Sequence, residues 1–206
     1  MSPQPLQDDR VQKDMMAVAT LERDTELMLR VRDGDTESFG LLLERHRSPV
    51  IHFVYRMVQN QSVAEELAQE VFLRVYRSRA NYEPTAKFTT WLFRIASHLA
   101  LNWIRDRRHE RGQESLDQET PDGMARQVSD RGISKEAAMV RESKFEEIRR
   151  AIHGLPEKQK AAVLMHKYEE MEYSQIAAVL ECSESAVKSL LFRAYESLRA
   201  RLAHMA

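Results

Sequence analysis

Residues 173–193 read YSQIAAVLECSESAVKSLLFR, two amphipathic runs that meet at Glu181-Cys182-Ser183. Ile176, Ala177 and Leu180 recur at helical spacing in the first run, and Val187, Leu191, Ala194 and Leu198 in the second. Ser174 and Ser183 stand where each helix needs an acceptor for its first free N–H groups. Only three residues separate the runs, so the helices must cross steeply, with small Ala177 at the crossing and Cys182 as an apolar plug in the turn. These spacings predict a helix-turn-helix whose second helix carries Ser185, Lys188, Ser189, Phe192 and Arg193 outward. Lys and Arg donate to guanine edges or phosphates, Ser reaches either, and Phe touches a thymine methyl. A helical corner with ordinary surface charge satisfies the same short motif.

Working outward, the chain of 206 residues has room for one or two domains. Six glycines, six prolines and the lack of sustained alternation between apolar and polar residues predict an all-α fold. The single cysteine, Cys182, excludes an internal disulfide and a multi-cysteine zinc site. Apolar runs fall short of a membrane span, and the polar start MSPQPLQDDR is unlike a secretory signal, so the expected setting is cytoplasmic. Formal net charge is −1, from 31 basic and 32 acidic residues, which argues against non-specific coating of nucleic acid. The basic residues nevertheless gather in two segments, at 88–111 and 185–202.

Residues 1–23 lack a convincing period and are expected to be a mobile extension. Leu27, Met28 and Val31 suggest a short helix ended by Gly34, with Asp35 or Thr36 capping the next. That helix carries Phe39, Leu42, Leu43 and His46 on one face, and Pro49 marks a fresh start before Val50, Phe53, Val54, Met57 and Val58. Ser62 and Glu65 form a capping-box pattern ahead of the stripe Ala64, Leu67, Ala68, Val71, Phe72 and Val75. A further helix from Phe88 packs through Phe88, Trp91, Leu92, Ile95, Leu99 and Trp103. Residues 24–110 thus read as one helical domain and 111–138 as an acidic linker carrying Glu114, Asp117, Glu119 and Asp122. A second domain follows at 139–206, with Phe145, Ile148 and Ile152 as an apolar stripe and Pro156 opening the next helix.

Taken in order, RDGDTESFGLLLERH, AEELAQEVFLRVYR, FTTWLFRIASHLALNWIRDRRH and LPEKQKAAVLMHKYEEMEYSQIAAVLECSESAVKSLLFRAYESLRARL resemble bacterial RNA polymerase sigma factors of the extracytoplasmic-function (ECF) group in the sigma-70 family. The resemblance runs from about Asp24 to Leu202. It implies region 2 in the first domain, region 4 with its helix-turn-helix in the second, and a flexible linker between them. It also implies that the chain binds core polymerase, at the beta-prime clamp helices and the beta flap, and directs initiation at promoter DNA. An anti-sigma factor is a further implied partner, whereas no cofactor, metal, catalytic site or membrane insertion is. The resemblance carries the clamp-helix role to Glu66, Gln69, Glu70, Leu73 and Arg77. It carries −10 recognition to Lys87, Thr89, Thr90, Arg94, His98, Leu101, Arg105 and Arg108, with the loop at 81–90 as a pocket for an extruded base. Reading of the −35 element falls to Ser185, Lys188, Ser189, Phe192 and Arg193. The acidic linker takes the place of a nucleic-acid mimic in the polymerase channel. Glu181 stands where a glycine is common in the family, His98 where many relatives have Asn, and Leu190 where they often have a basic residue.

The residues themselves leave competing readings. Trp91 and Trp103 suit plain core packing, and the polar ring around Leu73 suits a solvated face. A stand-alone duplex-binding regulator, with 24–110 as a sensor domain, and a protein-binding helical adaptor are both compatible with two helical domains. Enzymatic motifs are missing from the sequence: it has no phosphate-cradling glycine loop and no His-Glu-x-x-His.

Overall fold

The computed structural model describes residues 23–113 and 135–205, and every regular element among the described residues is helical. A first helix, α1 (23–32), buries Leu27, Met28 and Val31. It ends at Gly34, whose φ of +102° favours a residue without Cβ. Asp35 then caps α2 (Thr36–Val58), its Oδ1 accepting from the N–H groups of Glu37 at 2.9 Å and Ser38 at 3.2 Å. The Ser38 hydroxyl adds a bond to Oδ2, and these bonds hold the Asp35 carboxyl below the usual carboxylate range. Next come α3 (Gln61–Arg77), a 3₁₀ turn (Arg79–Asn81) and α4 (Phe88–Gln113). The second half comprises α5 (Lys135–His153), α6 (Glu157–Tyr168), α7 (Tyr173–Leu180), α8 (Glu184–Arg201) and a final 3₁₀ turn (Ala203–Met205). None of the described helices is long and apolar enough to cross a membrane. Residues 1–22 of the expected mobile extension and 114–134 of the expected linker, including Glu114, Asp117, Glu119 and Asp122, lie outside the described residues. Residue 23 opens α1, 111–113 continue α4 and 135–138 begin α5, because helix propagates past both expected linker ends.

Several boundaries differ from the sequence reading, each for a local reason. Pro49 does not restart a helix: α2 runs straight through it. The missing N–H forfeits one hydrogen bond, while Leu42, His46, Val50, Phe53 and Met57 bury one continuous stripe on both sides of it. The start of α3 is capped by Asn60, whose side chain accepts from Val63 N–H at 3.0 Å, rather than by Ser62. α7 opens at Tyr173, one residue before Ser174, with the Gln175 side chain accepting from Glu172 N–H at 2.9 Å. Pro156 lies just outside α6 and Glu157 is its first residue. The stripe expected on α5 is not a core stripe: Phe145 is 59% exposed, and Ile148 and Ile152 are only partly covered. These three line a groove with Tyr55, Arg56 and Tyr168 instead.

The two halves pack on each other, α4 against α7 and α2 against α6. Leu92, Phe93 and Ala96 of α4 share one buried cluster with Leu164 and Met165 of α6 and Val179 and Leu180 of α7. Lys160 is fixed in this seam, 4% exposed, and its Nζ donates to the Met57 carbonyl at 3.2 Å. That carbonyl lies in the last turn of α2, where the helix dipole favours a cation. Burial holds the Lys160 ammonium below the ordinary lysine range, partly offset by the Glu157 carboxylate. Also between α2 and α6, the Arg56 guanidinium lies 4.0 Å from the centroid of the Tyr168 ring.

Candidate nucleic-acid interface

Ser183 caps α8 by accepting from Ala186 N–H at 3.2 Å, and Val187, Leu191 and Ala194 bury the helix's inner face. The remaining face is therefore fixed in direction. Ser185, Lys188, Ser189, Phe192 and Arg193 are all exposed on it, Phe192 at 68%. The Ser189 hydroxyl donates back to the Ser185 carbonyl at 3.0 Å, while Lys188 and Arg193 form no ion pair among the described residues. Leu190 is half-buried against the core, so it serves packing where a basic residue would have faced solvent. Cys182 is half-buried in the turn, as its plug role requires.

On α4 the core face is Phe88, Leu92, Phe93, Ala96, Leu99 and Ala100, which leaves the opposite side outward. Arg94, His98, Arg105 and Arg108 are exposed there, with Leu101 half-buried among them. Arg94, His98, Leu101 and Arg105 line one groove with Arg74 of α3 and Lys158 of α6. Lys87 is exposed just before the helix and Thr89 is partly covered. Thr90 departs from the expected accessible set, being 4% exposed with its Oγ1 accepting from Gln175 Nε2 of α7 at 3.3 Å. Trp91 belongs to an aromatic cluster, 5.0 Å from the Tyr82 ring and 6.1 Å from that of Phe88. Trp103 is half-buried under Arg107.

On α3, Glu66, Gln69, Leu73 and Arg77 are exposed and Glu70 is partly covered. Glu70 Oε1 accepts from Arg74 Nε at 2.7 Å, which holds its carboxyl below the usual range. Leu73 is not a stray apolar residue. It closes a groove of about 560 Å³ whose wall is Phe39, Leu43, Ile51, Phe72 and Tyr76. Phe39 and Leu43, which share a helix face with Leu42 and His46, are half-buried against the core and border this groove where α2 packs on α3.

Two further features escaped sequence reading. Glu181 has φ +52°, a left-handed conformation rare outside glycine, and its carboxylate receives Arg94 Nη2 at 2.6 Å and Nε at 3.1 Å. Asp24, 1% exposed, accepts from His46 Nε2 at 2.8 Å and pairs with Arg45, which ties α1 to α2. Neither partner is signalled by spacing, because 87 and 21 or 22 residues separate the pairs.

A helix-turn-helix with one free basic face, beside a second helical unit with its own basic stripe, defines a DNA-binding factor of two modules. Family profiles agree in detail, with Sigma-70 region 2 matching residues 42–110 and Sigma-70, region 4 matching 145–198. The RNA polymerase sigma factor CarQ of Myxococcus xanthus is 34% identical over 179 residues, covering 86% of this chain and 97% of CarQ. The RNA polymerase sigma-H factor of Pseudomonas aeruginosa is 31% identical, covering 87% and 93%. The ECF RNA polymerase sigma-E factor of Escherichia coli is 30% identical, covering 85% and 92%. Among solved structures, CnrH in complex with the cytosolic domain of CnrY has the same fold, with a TM-score of 0.65 at 19% identity over 89% of this chain and 99% of that one. The sigma factor RpoE of Bartonella quintana, solved with the anti-sigma factor NepR, also scores 0.65 at 19% identity, over 81% and 98%. The chain belongs to the ECF group of the sigma-70 family. It is a specificity factor that binds RNA polymerase and promoter DNA and directs promoter-specific initiation.

Proposed function

We propose that α8 reads the −35 element as duplex through Ser185, Lys188, Ser189, Phe192 and Arg193. The observation that carries this reading is the exposed face of α8, where Lys188 and Arg193, which form no ion pair among the described residues, flank the exposed Phe192 ring. In the same reading, Lys87, Thr89, Arg94, His98, Leu101, Arg105 and Arg108 meet the −10 element along α4, and Thr90 joins them only once α7 lifts away. Glu66, Gln69, Glu70, Leu73 and Arg77 dock on the beta-prime clamp helices, with the apolar groove beside Leu73 receiving a side chain from them. Region 4 meets the beta flap.

The functional division is 24–110 for region 2, 111–138 for the linker and 139–206 for region 4. The factor works in the cytoplasm without a catalytic site of its own. An anti-sigma factor holds it in reserve, as NepR accompanies the Bartonella factor of the same fold. Reconstituted holoenzyme tests the −35 assignment. Transcripts from a randomised promoter library should show a −35 preference that Arg193→Ala relaxes, with a loss of about 1–3 kcal/mol of discrimination at one position. Unchanged discrimination rejects α8 as the reader.

A further inference from the structure

Phe145 and Tyr168 are large side chains left 59% and 47% exposed, and both line one groove of about 510 Å³ formed by α2, α5 and α6. Ile148 and Ile152 add to its apolar wall, and its basic members are His52, Arg56 and Arg149. None of the described residues lining it carries a carboxylate. An exposed apolar patch rimmed by polar groups marks a contact surface.

The course of the chain decides what reaches it. α1 ends at the Gly34 turn beside the start of α2, while its first turn is held to Arg45 and His46 through Asp24. The two helices are therefore antiparallel, and the chain before residue 23 heads toward the C-terminal end of α2. Arg45, His52, Arg56 and Gln59 are separated by 7, 4 and 3 residues, so they share one side of that helix. Asp24 thus anchors α1 on the side of α2 that walls the groove. From position 46 to His52 and Gln59 the helix rises by about 9 and 20 Å. Residues 15–18 precede Arg23 by five to eight positions, which span about 8–12 Å as helix and about 17–26 Å extended.

The geometry points to an internal ligand: the N-terminal segment, which lies outside the described residues, seats Met15, Met16 and Val18 in the groove between α2, α5 and α6. Methionine suits such a site because its unbranched, polarisable side chain fills irregular apolar gaps. Charge agrees, since residues 1–22 hold Asp8, Asp9, Asp14 and Glu22 against Arg10 and Lys13, facing a basic rim. Because the segment is tethered at α1, the contact is intramolecular, and a modest apolar fit is enough to hold it.

The full-length chain tests this. A nitroxide on Gln12→Cys, in a Cys182→Ala background, should remove most of the intensity of the Ile148 and Ile152 methyl resonances. Met15→Asp with Val18→Asp should restore it, and broadening that survives both substitutions overturns the apolar seating. Intact Ile148 and Ile152 signals in the labelled parent leave the groove to an outside partner and overturn the proposal. Loss confined to Ile51, beside Leu73, does the same by sending the segment to the other groove. Equal broadening when nitroxide and isotope label sit on different molecules assigns the groove to a second copy and overturns the internal ligand. A second measurement leaves the cysteine untouched. Trypsin cleavage after Lys13 should be severalfold faster with Phe145→Asp than in the parent, and equal rates overturn the docking.

Discussion

Asp24 shows how much one residue can organise. A carboxylate 1% exposed is stable there because His46 and Arg45 both face it. Asp24→Ala leaves those partners unsatisfied, and urea denaturation should register a loss of about 3 kcal/mol or more. Glu169 presents the opposite case. It ends α6 beside Arg56, and burial pushes its carboxyl from 4.5 up to about 7 against the pull of that guanidinium. Between those values the folded chain binds more protons at this site than the unfolded chain, so stability falls as pH rises through the window. Glu169→Gln should match the parent near about pH 4 and exceed its melting temperature at about pH 8. Equal melting temperatures at the higher pH would contradict this account. Neither residue announces itself in sequence: Asp24 looks like one more acid before a helix, and Glu169 like one of a surface pair.

At the scale of elements, periodicity located the helices well and their first residues poorly. The buried stripes Ala64–Val75 on α3 and Val187–Ala194 on α8 follow spacing directly, because an amphipathic helix can bury only one side. Starts depend on which nearby side chain captures a free N–H, and Asn60 outcompetes Ser62 for that role. α5 illustrates the converse failure. Its spacing suggested a buried face, yet Phe145 lies exposed beside α2 because helical period shows which residues share a side and not what covers it. On α3, Leu73 is 48% exposed at the mouth of an apolar groove, so Leu73→Ala should leave the melting temperature unchanged. Its affinity for core polymerase should drop by about 1–2 kcal/mol, measured by titration of labelled factor. A shift in stability without a change in affinity would assign Leu73 to the fold instead.

Across the whole molecule, net charge of −1 gives little field to attract DNA at a distance. Two small modules gain strength when a scaffold sets their spacing, because the second contact becomes intramolecular. The free factor should therefore bind a promoter duplex at least about 100-fold more weakly than holoenzyme does, measured at one salt concentration. Comparable affinities would point to a factor that needs no polymerase to hold its promoter.

The sequence alone determined the all-α class, the helix-turn-helix at 173–193, the outward set Ser185 to Arg193 and membership of the sigma factors. All of these follow from local spacing or from the order of motifs, which a linear chain records completely. Tertiary structure decided that Pro49 sits inside a continuous helix, that Leu73 borders a groove, and that Asp24 pairs with His46. It also decided the partner of Glu181. A left-handed residue at the turn is a local oddity until α4 brings Arg94 to within 2.6 Å of it, and that approach depends on how two buried surfaces fit together. Such a fit depends on shapes contributed by residues far apart in the chain, which no short stretch of sequence encodes.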